Sequence, residues 1–224
     1  RRLEESEPRP IWLHSDASQA AGMLDIRLSR LGVDLLSLNA AKVYGPKQVG
    51  LLWRRPGVKL APLFGGGGQE MGLRSGTESV AGAVGFAVAL ERAEQKRKSE
   101  VKRLSSLRDT MQQKLLATYE DMVVSGDQKR RLPGHLHIAF PSIDAERLIF
   151  LLEARGVLVA TGSACAANKG TRSHVLEAIG MDEATADGSL RITLGRQTTE
   201  RDMQAATTAI IEAVNTEKER LQRL

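Results

Sequence analysis

The chain has 224 residues, 42% hydrophobic and 26% charged, with a formal net charge of +5 and a pI near 9.6. This describes a soluble globular protein long enough for one large domain or two small ones. A single cysteine excludes an internal disulfide framework, and no apolar run approaches the ~18 residues of a membrane helix, so the cytoplasm is the expected compartment.

The opening "RRLEESEPRP" leads at once into the apolar "IWLHSDASQAAG" with no element before it to pair with, so an N-terminal part of a longer protein is expected to lie outside this chain. Residues 11–14 read as a short buried strand, and Asp16 and Ser18 stand where a helix could start. Residues 33–38 ("VDLLSL") and 49–53 ("VGLLW") are further apolar runs of strand length, the second closed by Arg54, Arg55 and Pro56. None alternates strictly, which predicts a sheet covered on both faces.

Residues 64–79, "FGGGGQEMGLRSGTES", place five glycines within nine residues, a backbone free to approach a ligand closely or to act as a linker. A helical pattern comes next over 78–119, with small residues in "VAGAVGFAVAL" that allow close packing. Its length predicts a bend or break and a connection between two domains. Much of the basic excess falls in 91–109, where Glu and Asp are interleaved and aromatic residues are lacking. That is a solvated helix face rather than a nucleic-acid surface, and neither nucleic acid nor membrane is expected as a partner.

From Met122 the elements alternate. Strands are predicted over 122–124, 135–140, 157–160 and 189–193, and helices over 144–155, 172–179 and 199–221. This is an α/β domain, with the loop "TGSACAANKGTRS" and the only cysteine, Cys165, between a strand and a helix. Small neighbours offer Cys165 no bulky apolar wall, so a reactive thiol and a core filler stay equally open on the loop alone.

Lys42, in "AAKVYGPK", comes after a buried-strand candidate. Lysine there is commonly a surface charge, but beside apolar residues it can form a Schiff base with a carbonyl compound. Asp16 is either a helix N-cap or a carboxylate for a pyridinium nitrogen, and with a lysine amine that is the minimal equipment for pyridoxal phosphate, PLP. Gln19, three residues on, is a capping-box partner or a donor to the cofactor phenolate.

Together "HSDASQAAG", "KVYGPKQVGLLW", "GGGGQEMGLRSGTES", "TGSACAA" and "SLRITLGRQTTERD" resemble, in order and approximate spacing, the cysteine desulfurases of the NifS and IscS type within the class V aminotransferase-like PLP enzymes. The resemblance implies a PLP fold type I protein, α/β, with the second half of a large domain in residues 1–90, a linking helix in 91–120 and a small C-terminal domain in 121–224. It implies that Lys42 holds PLP covalently, that Asp16 pairs with the pyridine nitrogen and that Gln19 contacts the phenolic oxygen. Thr77 would reach the phosphate of a neighbouring subunit, which implies a homodimer. Arg191 would grip the substrate carboxylate, a task suited to a guanidinium, and Cys165 would take sulfur from L-cysteine as a persulfide, leaving L-alanine. A sulfur-acceptor protein such as an iron–sulfur scaffold is the implied partner, and the small residues of the Cys165 loop would give it reach.

Two departures stand out. Where the family has Ser and His before its lysine, this chain has Asn39, Ala40 and Ala41; Asn39 can donate to a phosphate but Ala41 cannot, which implies weaker PLP retention. The family's phosphate-binding turn, its ring-stacking histidine and an asparagine near the phenolate have no counterpart in these residues. Alternatives are a selenocysteine lyase, another class V PLP enzyme, or an inactive fragment or paralogue acting as a binding module.

Overall fold

The computed structural model describes residues 11–161 and 173–223. It divides into two compact units, Arg1–Lys98 and Ser99–Leu224, with the boundary inside one helix.

The first unit is built on a three-stranded sheet in the order β1 (His14–Asp16), β2 (Leu35–Asn39), β3 (Gly50–Arg54), with β1 parallel and β3 antiparallel to β2. A short helix α1 (Leu28–Leu31), ended by Gly32 in the left-handed region at φ +64°, returns the chain from β1 to β2. Its core gathers Ala17, Ala21, Val33, Leu36, Leu38, Ala40 and Val43 around Phe86. Phe86 lies on α2 (Val80–Thr118), whose first turns carry small residues for close approach. A Cβ on Gly45 would stand 3.1 Å from the Ala89 Cβ and 3.0 Å from the Ala40 carbonyl.

Three expectations change in this unit. The first strand falls at His14–Asp16 rather than 11–14, because pairing with Leu35–Ser37 fixes it there, and Trp12 and Leu13 stay 45% and 49% exposed. No helix starts at Asp16: residues 18–23 form consecutive turns instead, such as Ala21 N–H to Ala17 C=O at 3.0 Å. Among the described residues the sheet is not covered on both faces. β2 alternates between buried and partly exposed residues, while β3 leaves Leu51 and Leu52 43% and 53% exposed. Within the apolar run 33–38, Asp34 is fully buried, pairs with Arg55 at 2.8 Å and accepts the Leu13 N–H at 3.0 Å, so one carboxylate ties the segments leading into β1 and out of β3.

The glycine-rich segment is tied down rather than a bare linker. Ser75 Oγ donates to the Gly65 carbonyl at 3.2 Å, Gly76 N–H reaches Gln69 at 3.3 Å, and Arg74 stacks over Phe64 at 5.0 Å. Gly66 takes φ +150°, and a Cβ there would collide with Ser75 at 2.7 Å.

Contrary to the expected break, α2 runs through 39 residues as a single α-helix. Pairs at i,i+3, Glu94 with Arg97 at 2.8 Å and Glu100 with Arg103 at 2.9 Å, support its charged middle.

The second unit holds a wholly antiparallel four-stranded sheet in the order β4 (Val123–Val124), β5 (His135–Ala139), β7 (Ser189–Thr193), β6 (Ala160–Thr161). Alternation splits it cleanly. Leu136, Ile138, Leu190 and Ile192 are buried on one face, in the core shared with α3 (Ala145–Glu153) and α6 (Glu200–Gln222), where Leu148, Leu152, Ile210 and Val214 are fully buried. Asp144 caps α3 by accepting from Glu146 N–H at 2.9 Å. Thr199 and Asp202 form a reciprocal capping box at the start of α6. Two short helices, α4 (His174–Ala178) and α5 (Glu183–Asp187), link β6 to β7, and α5 has no counterpart among the predicted elements. The predicted strand over 157–160 is confined to Ala160–Thr161. The mixed α/β architecture is the one the sequence implies. Among the described residues no helix is long and apolar enough to cross a membrane, and no metal-ligating cluster forms.

Candidate functional site

In the first unit Asp16 and Asn39 stand at the carboxyl ends of the parallel strands β1 and β2, with Gln19 and Lys42 on the turns that follow, at the end where ligands bind in open sheets with parallel strands. Asp16 ends β1, in register with Ser37 of β2. Its Oδ1 accepts the Ser18 N–H at 2.9 Å, and bonds from the Ser18 side chain and backbone, with His14 nearby, hold the carboxyl below its ordinary range. His14 itself meets Ser37 Oγ across the strands at 2.8 Å. Asp16 is therefore an exposed, ionised carboxylate fixed by its own turn. Gln19 is exposed on that turn and forms no hydrogen bond among the described residues, so the capping-box alternative is not what it does.

Asn39 ends β2 and caps a 3-10 turn, Ala40–Val43, with its Oδ1 accepting the Ala41 N–H at 2.9 Å. Its amide nitrogen is left for another partner. Lys42 is exposed on this turn and makes no ion pair among the described residues. The two residues after the turn are tightly constrained: Tyr44 takes the left-handed region at φ 62°, and Gly45 N–H returns to the Ala40 carbonyl at 2.8 Å. Buried Ala40 and Val43 anchor the turn while Ala41 and Lys42 face outward. Thr77 is exposed near the end of the glycine-rich segment, and no hydrogen bond ties it to Asp16 or Lys42.

In the second unit Arg191 occupies the middle of β7, half-buried, on the face opposite the apolar core. Register puts it directly between His137 of β5 and Ala160 of β6. Burial, with the Arg191 charge adding, pushes the His135 and His137 imidazoles below the usual histidine range. His137 Nδ1 meets Ser125 Oγ at 2.8 Å. From sequence, residues 135–140 read only as a strand; the signal that could have marked them is the alternation of "HLHI", which puts two imidazoles on the Arg191 face. Cys165 lies outside the described residues.

The pattern of the Aminotransferase class-V family matches residues 6–206. The chain belongs to that family. Cysteine desulfurase IscS of Dictyoglomus turgidum is 42% identical over 193 residues, 86% of this chain and 49% of that protein. Among solved structures, a NifS-like protein superposes with a TM-score of 0.85 at 34% identity, covering 96% of this chain and 55% of its own. SspA in complex with cysteine superposes with a TM-score of 0.62 at 33% identity, over 86% of this chain and 52% of that one. This class V chain thus spans about half the length of the relatives it matches, and its fold is that of the corresponding half of the NifS-like proteins.

Proposed function

We propose that the intact protein is a PLP-dependent cysteine desulfurase that converts L-cysteine to L-alanine and passes the sulfur to an acceptor through Cys165. The reading is carried by one juxtaposition: an ionised carboxylate and a presented lysine at the ends of two paired parallel strands, in a chain 42% identical to a cysteine desulfurase. The cysteine bound in the SspA structure agrees with that substrate.

The donor set fits the cofactor. Lys42 supplies a primary amine for an aldehyde, Asp16 a lasting negative charge for a pyridinium nitrogen, Gln19 an amide for a phenolate, and Asn39 and Thr77 donors for a phosphate. When bound, PLP withdraws electrons from the α- and β-carbons of an amino acid. Asp16, kept ionised by Ser18, would hold a proton on the pyridine nitrogen. Lys42 provides the covalent anchor and a proton carrier at Nζ. Arg191 orients the substrate carboxylate, and Cys165 accepts the substrate sulfur as a persulfide. Ala41 offers the phosphate no side-chain donor, so the grip on PLP is weaker than a histidine there would give.

In this reading residues 1–90 are half of the cofactor-binding domain, 91–120 the link and 121–224 the small domain. The protein works as a cytoplasmic homodimer, with Thr77 serving the neighbouring subunit, and an iron–sulfur scaffold is the class of acceptor. The test is to supply the intact protein with PLP and L-cysteine and measure alanine and sulfide. Equal amounts of both are expected; faster release of selenium from selenocysteine with little action on cysteine would replace the reading with a selenocysteine lyase, and no turnover of either would end it.

A further inference from the structure

Across the sheet of the second unit, one register line carries Ser125, His137, Arg191 and Ala160. His137 pairs with Arg191, Ala160 pairs with Arg191 from the other side, and Ser125 N–H reaches the His137 carbonyl at 3.1 Å just beyond β4. Directly opposed residues share a face, so these side chains stand together on the side away from the buried Leu136, Ile138, Leu190 and Ile192. His135, two residues before His137, is on the same face opposite Thr193. Its Nδ1 and the His137 Nε2 are both buried and without a hydrogen-bond partner among the described residues. Buried polar nitrogens are nearly always satisfied, so two orphans on the strand beside an arginine point to a missing acceptor rather than to packing.

We propose that Ser125, His137 and Arg191 form one carboxylate-recognition row, in which Ser125 orients the His137 imidazole as a second hydrogen-bond donor to the carboxylate that Arg191 holds. The inference rests on the amino-acid substrate of the desulfurase reading and extends it to a residue outside the sequence motifs. In this row, before a carboxylate binds, the Ser125 hydroxyl would donate to His137 Nδ1, 2.8 Å away, which would place the ring hydrogen on Nε2. Two features match this role: before a carboxylate binds, a neutral imidazole adds no charge beside the guanidinium, and the 2.8 Å bond to Ser125 fixes the ring so that little rotamer freedom is lost on binding.

This row also links binding to a proton. The titratable or charged groups on this face of the sheet's strands are His135, His137 and Arg191. With the site empty, burial and Arg191 disfavour the imidazolium; a bound carboxylate offsets the Arg191 charge and favours it. Carboxylate binding therefore takes up a proton at His137 and strengthens as pH falls through the histidine range.

The experiment uses the intact, PLP-loaded protein and L-alanine, a carboxylate ligand without a thiol, in calorimetric titrations run in buffers of different ionisation enthalpy. Wild type should bind L-alanine with proton uptake. His137→Phe should bind roughly tenfold more weakly, as expected for losing a hydrogen bond to a charged group. His137→Gln, which keeps a donor near the Nε2 position, should keep most of the affinity and lose the proton uptake, a split that a purely structural role would not give. Equal affinity in wild type and His137→Phe, with L-cysteine still turned over, overturns the row and leaves the desulfurase reading intact. Failure of L-cysteine turnover with L-alanine binding that depends on His137 does the reverse, and a wild type that does neither overturns both.

Discussion

In the first unit Asp16 and Lys42 leave the sheet at strand ends and are set by turn hydrogen bonds, whereas in the second Arg191 stands mid-strand and is set by register. The packing beneath differs in the same way. β1 and β3 carry no buried residue, while β5 and β7 put Leu136, Ile138, Leu190 and Ile192 into a closed core with α3 and α6. Local chemistry therefore governs Asp16 and Lys42 and tertiary packing governs Arg191, and each should fail in its own way.

The largest expected contrast is in the cores. Leu148→Ala, at a fully buried site of α3, should cost about 2–5 kcal/mol in denaturant unfolding. Leu52→Ala on β3, where the side chain is 53% exposed, should cost no more than about 0.5 kcal/mol. Similar losses at both sites would erase the distinction.

Acid should separate the units next. Glu217 on α6 is buried, which opposes its ionisation, but Arg220 and Arg147, each at 2.8 Å, outweigh this and hold the carboxyl below its ordinary value of 4.5. A depressed carboxylate adds stability that is present above the unfolded value and is lost as pH falls through the folded one. Hydrogen exchange around α6 should therefore accelerate below about pH 4.5, and Glu217→Gln should flatten that response.

The caps provide the smallest test. Thr199→Ala removes half of the α6 capping box and should cost about 1 kcal/mol. Asn39→Ala should leave global unfolding nearly unchanged, yet speed exchange of the Ala41 amide that it caps. Global loss from Asn39→Ala would mean that packing, not the turn, sets Lys42.

The same division governs how far the fold is legible in the sequence. β7 at Ser189–Thr193 and α6 at Glu200–Gln222 fall where the strand over 189–193 and the helix over 199–221 are predicted, since one strong core face dictates both. β1 is displaced from its apolar run because strand pairing, not hydrophobicity, fixes His14–Asp16, and residues 11–13 remain exposed. α5, five residues long, is below what helical periodicity reveals. Asp34 looks like an interruption in an apolar strand because its partner Arg55 lies 21 positions away and only the fold brings them together. At the candidate site, the motifs carry Asp16, Lys42 and Arg191 by resemblance. They cannot show Asn39 Oδ1 engaged with Ala41, or His137 facing Arg191, which are facts of turn geometry and of register.

In the proposed function, sulfur moves from L-cysteine onto Cys165. Mass spectrometry of the Cys165 peptide after the intact, PLP-loaded protein meets L-cysteine tests it directly. The mass of one added sulfur atom is expected on Cys165 and not in Lys42→Ala; alanine formation with an unmodified Cys165, or equal sulfur loading in the Lys42 variant, would overturn the proposed transfer.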